Sequence, residues 1–92
     1  SRGLGDVYKR QQNNFSVKAF PVDKVIDTTG AGDAYIGGVL MGKMNGKNIL
    51  DSMKVGAVTA SFCIEGIGMD GLLKINDVEF LKRLKWMNDH TS

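Results

Sequence analysis

Apolar and polar positions alternate over residues 15–20, "FSVKAF", which predicts a strand with one buried face. Pro21 ends that ladder or sits at its edge. Val25 and Ile26 form a short apolar pair before a glycine-containing loop. Over residues 34–44 apolar positions run almost all round a helix, interrupted only by Gly37, Gly38, Gly42 and Lys43. A helix of that kind is expected to be buried on most sides. Each of its glycines costs about 1 kcal/mol of helix propensity against alanine, so together they imply a neighbouring backbone at close approach. Residues 45–48, "NGKN", read as a turn, and a second helix is expected over residues 49–64. There Ile49, Met53, Gly56, Ala57, Ala60 and Ile64 recur at three- and four-residue spacings. "GIGMDG", residues 66–71, is a loop rich in breakers, and residues 72–75 read as a short extended piece.

Asn76 has the character of an N-cap, with Glu79 three residues later completing a capping-box-like pattern. The helix it opens is amphipathic. Phe80, Leu81, Leu84 and Met87 fall on one side, and Glu79, Lys82, Arg83 and Asp89 on the other. Strand, glycine loop, two helices, loop and helix make part of an α/β layer, with too few strands for a whole sheet. Trp86 is expected to pack at the edge of the last helix, and His90 has no ligand at helical spacing.

Composition narrows the class. Of 92 residues 42% are hydrophobic, which suits a globular chain and not a disordered one. No apolar run approaches the ~18–20 residues that span a bilayer, and residues 1–20 lack a secretory pattern. Cys63 stands alone, so neither an internal disulfide nor a cysteine zinc cage is expected; a buried structural thiol is. A cytoplasmic protein without a membrane partner follows as the expectation. Residues 6–11, "DVYKRQ", read like the translation of a transposon end used in preparing sequencing libraries, although an ordinary polar segment would look the same. On the first reading residues 1–11 are non-native and residues 12–92 carry the fold. Residues 1–11 hold Arg2, Lys9 and Arg10 against Asp6, so without them the net charge of +2 falls to zero. The charge balance therefore gives no support to a nucleic-acid partner.

The chemistry is concentrated in residues 27–40, "DTTGAGDAYIGGVL". Gly30 and Gly32 let the backbone turn without a Cβ in the way. The amides of Gly30, Ala31, Gly32 and Asp33 then sit at a helix N-terminus, where they lack intrahelical acceptors and favour an anion. Asp33 puts a carboxylate in the same turn. An oxyanion site beside a general base is what phosphoryl transfer to an alcohol requires. Local physics by itself favours a plainer account, in which Asp33 complements the helix dipole and the glycines only turn the chain.

The same fourteen residues resemble the C-terminal signature of the ribokinase-like (PfkB-type) carbohydrate kinases. They have the leading Asp27-Thr28, the Gly30-Ala31-Gly32-Asp33 core and the small-small-aliphatic ending Gly37-Gly38-Val39; Tyr35 stands where phenylalanine is commoner. The resemblance extends more loosely over residues 15–84. It implies the C-terminal portion of a three-layer α/β/α kinase fold, with Asp33 as the base that deprotonates a sugar hydroxyl. Gly30, Ala31 and Gly32 would form the anion hole. The carbonyls of Asp27 and Thr29 would help hold a monovalent cation, and Val55, Thr59, Gly66 and Gly68 would line the adenine pocket. ATP and Mg²⁺ are the implied cofactors, and whether K⁺ is required stays open. The acceptor is a sugar or a nucleoside, and the complete protein could be a homodimer. A non-catalytic metabolite-binding relative is the alternative, which the intact Asp33 argues against. "GIGMDG" also fits G-x-G-x-x-G, but a dinucleotide fingerprint follows a strand and opens a helix. The pattern here is expected to follow a long helix, and no G-x-x-x-x-G-K-[ST] is present.

Overall fold

In the computed structural model residues 7–10 and 15–91 are described. Strand β1 (Val7–Arg10) pairs antiparallel with β2 (Phe15–Lys18), Val7 opposite Lys18 and Arg10 opposite Phe15. Val7–Arg10 lies within the stretch set apart at the sequence level, and here it is a paired strand. Irregular chain leads to helix α1 (Ala31–Met44), followed by α2 (Ile49–Cys63), the short α3 (Asp70–Leu73) and α4 (Asp77–His90).

Helix α2 is the hub. It packs against α1, α3, α4 and β2, and all its residues from Ser52 to Cys63 are buried except Thr59. Val17 from β2, Met53, Ala57, Val58 and Phe62 from α2, and Met87 from α4 form the core. Small residues let α1 reach this hub. A Cβ on Gly38 would lie 2.7 Å from the Gly56 Cα, and one on Gly42 would lie 2.8 Å from the Ser52 Cα. Close backbone approach is therefore the role of the α1 glycines that face α2.

Four expectations need correction. Helix α1 starts at Ala31, three residues early, so Gly32 and Asp33 lie inside it. It is not buried on most sides: only Ala34, Gly38 and Gly42 are, while Ile36, Leu40, Met41 and Met44 are exposed. Helix α2 is its main neighbour among the described residues. Residues 72–75 are not extended. Leu72 and Leu73 belong to α3, because Gly71 packs directly on the Phe62 carbonyl and the chain turns there. On α4 the polar and apolar sides are mixed: Arg83 is buried and Leu81 exposed. Asn76 does cap α4, its side-chain oxygen accepting from the Glu79 amide at 2.9 Å. Glu79 points its own carboxylate at Arg83. Trp86 lies edge-on to Phe20 with ring centroids 5.3 Å apart, and His90 stacks on its other side.

Candidate functional site

The approach to α1 is held by the end of α2. The Ile64 carbonyl accepts from two successive amides, Ile26 at 2.8 Å and Asp27 at 3.2 Å. Beyond it, Asp27 closes an Asx turn, its Oδ1 accepting the Thr29 amide at 2.9 Å, and its Oδ2 accepts the Gly68 amide at 3.5 Å. The Thr29 amide, then its hydroxyl, then the Gly68 amide hold the Asp27 carboxyl below its ordinary range. Sequence reasoning assigned Asp27 a carbonyl role; the structure makes its carboxylate the organiser of the loop. The Asp-x-Thr spacing of an Asx turn was the signal available for this.

Gly30 follows with φ 83°, a left-handed conformation at the helix N-cap that glycine adopts without strain. The Ala31 amide, expected among the anion donors, instead donates to the Thr28 carbonyl at 3.1 Å, closing the turn that starts α1. The amides of Gly30, Gly32 and Asp33 have no acceptor among the described residues. They sit at the positive end of a 14-residue helix, next to the exposed Asp33 carboxylate, which is also without a partner among the described residues. Only Gly30 of the two expected turn glycines has a positive φ. Gly32 is helical, and a Cβ there would meet nothing within 4 Å. The donors and the dipole suit an anion such as a phosphoryl oxygen.

The other assigned residues divide. Gly68 comes to the loop through its bond to Asp27, while Gly66 is buried against Gly71. Val55 and Thr59 are placed elsewhere. Both face Gly38 across the α1–α2 contact, and the Thr59 hydroxyl donates back to the Val55 carbonyl at 2.8 Å. The close approach of the helices buries Val55 and leaves Thr59 half-buried at the contact. The Thr29 carbonyl accepts from the Cys63 thiol at 3.7 Å. One carbonyl so engaged and one other, that of Asp27, do not make a cation cage, and the described residues include no group of three or more His, Cys, Asp or Glu able to hold a metal. "GIGMDG" follows α2, not a strand, although Gly71 does lie in a helix, contrary to the extended continuation expected. Two clefts, of about 110 Å³ beside Lys54 and about 370 Å³ beside Phe80, lie away from the loop. Among the described residues no helix is long and apolar enough to cross a membrane.

Sequence reasoning missed one residue altogether. Arg83, read as part of a solvent face, lies with its guanidinium 4.0 Å from the Phe62 ring centroid. The pairing of Glu79 with Arg83 at i,i+4 was visible; the burial was not.

Comparison with known proteins places this geometry in context. A family described as "pfkB family carbohydrate kinase" matches residues 4–75. Over 45 residues the chain is 49% identical to an uncharacterized sugar kinase of Archaeoglobus fulgidus, covering 49% of this chain and 18% of that protein. Over 64 residues it is 36% identical to a nucleoside kinase of Methanocaldococcus jannaschii, covering 70% of this chain and 21% of that one. The crystal structure of the Methanocaldococcus jannaschii nucleoside kinase, described as an archaeal member of the ribokinase family, aligns with a TM-score of 0.73 at 29% identity, over 91% of this chain and 28% of that one. The chain spans about a fifth of the length of the curated relatives it matches.

Proposed function

Because the chain belongs to the pfkB family of carbohydrate kinases and takes up part of a ribokinase-like α/β fold with an incomplete sheet, we propose that the protein it represents transfers the γ-phosphate of ATP to a hydroxyl of a sugar or nucleoside. One observation carries this reading: the Asp33 carboxylate shares a helical turn with the amides of Gly30, Gly32 and Asp33, all without a partner among the described residues. ATP supplies the transferred group, with Mg²⁺ carried on its phosphates. The three amides donate to the oxygens on which charge develops, and the N-terminus of α1 adds its dipole. Asp33 takes the proton of the acceptor hydroxyl as that oxygen attacks. Asp27 holds the loop with its carboxylate. The carbonyls of Asp27 and Thr29 fit K⁺ only in part, that of Thr29 already accepting from the Cys63 thiol.

A nucleoside acceptor draws support from the relative with the wider coverage, a nucleoside kinase; a sugar acceptor draws it from the relative with the higher identity. Turnover of a panel of sugars and nucleosides by the complete enzyme separates them. Asp33→Asn in that enzyme keeps the shape and the helix-end hydrogen bonding but cannot take a proton. It is expected to lower kcat by about 10²–10⁴, with KM for ATP little changed. Retained kcat with weakened binding alone would make Asp33 a dipole-complementing residue and remove the main support for the mechanism.

A further inference from the structure

The last turn of α2 has no basic residue of its own, although the open carbonyls of a helix C-terminus favour positive charge. Arg83 brings one from α4. Its side chain is only 10% exposed, and three of its nitrogens are engaged. Nη1 donates to the Ser61 hydroxyl at 2.9 Å, Nη2 to Glu65 at 2.8 Å and Nε to Glu79 at 2.9 Å. Ser61 and Glu65 lie four residues apart, so this guanidinium holds the chain on both sides of Ile64. The Ile64 carbonyl in turn accepts the Ile26 and Asp27 amides, and the chain beyond Glu65 sends the Gly68 amide to Asp27.

We propose that Arg83 is a positioning residue for phosphoryl transfer: by fixing Ser61 and Glu65 it sets the Ile64 carbonyl and the Gly68 amide, and through them the loop that delivers Gly30 and Asp33. This rests on reading residues 27–33 as the phosphoryl site. Ion pairs of a buried guanidinium with half-exposed carboxylates give little net stability, but they do fix geometry. Arginine suits the task because its rigid planar fork reaches three acceptors while its face lies on Phe62; lysine keeps the charge and loses the fork. Residue 83 lies outside the family match of residues 4–75, so the clamp comes from chain beyond the matched segment.

The test compares Arg83→Lys, Glu65→Gln and Glu79→Gln in the complete enzyme. Small misplacements of reacting groups are costly, so the first two should lower kcat at least ~10-fold, with KM for ATP within ~2-fold. Glu79→Gln removes the charge from an Arg83 contact that stays within α4 and should leave kcat within ~2-fold. Native-state hydrogen exchange supplies a readout independent of turnover: in Glu65→Gln the Ile26 and Asp27 amides should exchange at least ~10-fold faster, while Val58 in mid-α2 is unchanged. If kcat of Glu65→Gln stays within twofold, the proposal is overturned whether or not exchange moves. If all three variants lose activity in proportion to melting temperature, Arg83 is a general core contact and the proposal again fails. Asp33→Asn in the same assays tests the site reading separately: kcat retained there rejects the phosphoryl site, while the exchange data still judge the clamp.

Discussion

The Cys63 thiol is 3% exposed and lies against the Thr29 carbonyl. Burial, and then the nearby Asp27 charge, push its pKa above the usual 9.0. Alkylation needs the thiolate and access, so Cys63 should resist iodoacetamide at pH 8 in the folded protein and react once denaturant is added; fast labelling of folded protein would show that the end of α2 opens. The linkage signs follow from the shifts. A thiol with a raised folded pKa contributes stability that is full below pH 9.0 and lost as pH rises through the folded value. Glu79 moves the other way, its carboxyl held below 4.5 chiefly by its hydrogen bond to Arg83, and Asp27 is held below 3.8 by Thr29. Their contribution is present above those values and lost as pH falls through the lower, folded ones. Melting temperature should therefore be level through neutral pH and drop in acid. Glu79→Gln should soften the acid limb, and an unchanged limb would show that other carboxylates govern it.

At the level of elements, the α1–α2 contact offers the sharpest measurement. A methyl on Gly38 would meet the Gly56 Cα at 2.7 Å and the Val55 carbonyl oxygen at 2.9 Å. Both are backbone atoms, so no rotamer change relieves the clash and the helices must part. Gly38→Ala should cost about 1–3 kcal/mol of stability by denaturant unfolding, despite alanine's better helix propensity; an unchanged midpoint would mean that the contact is loose. Much of this level was legible in sequence because it is local. Alternation located β2, three- and four-residue spacing located α2, and Asn76 marked the start of α4. Gly38 and Gly42 of α1 were read correctly as demanding close approach, though not the partner they meet; Gly37 was not, since a Cβ there would meet nothing within 4 Å. What escaped depends on contacts between distant residues. Gly32 has turn chemistry yet lies inside a helix, "LLKI" looks extended until Gly71 packs on Phe62, and Arg83 looks solvated until Phe62, Ser61 and Glu65 surround it. At the loop, Gly30 and Asp33 were legible as a helix-start motif, while the contact of Val55 and Thr59 with Gly38 was not.

For the whole molecule, the question is what the outer face of α1 is for. Ile36, Leu40 and Met41 are each more than half exposed, and Met44 is 83% exposed. Four apolar side chains on consecutive turns form a patch of the kind soluble monomers seldom leave open. With only two strands described and about a fifth of its relatives' length spanned, the chain has the loop proposed as the phosphoryl site but little of the sheet such helices normally cover. Catalysis by this arrangement needs the acceptor hydroxyl held within reach of Asp33, and the described residues give no second wall to hold it there. The 92-residue chain by itself should therefore bind a hydrophobic dye strongly, associate at micromolar concentration and phosphorylate neither sugars nor nucleosides. A chain that completes the sheet should remove the dye signal and bring ATP-dependent turnover together. Robust turnover by the 92 residues alone would mean that the acceptor is bound by these helices and loops, and that the exposed face of α1 has some use other than packing under a sheet.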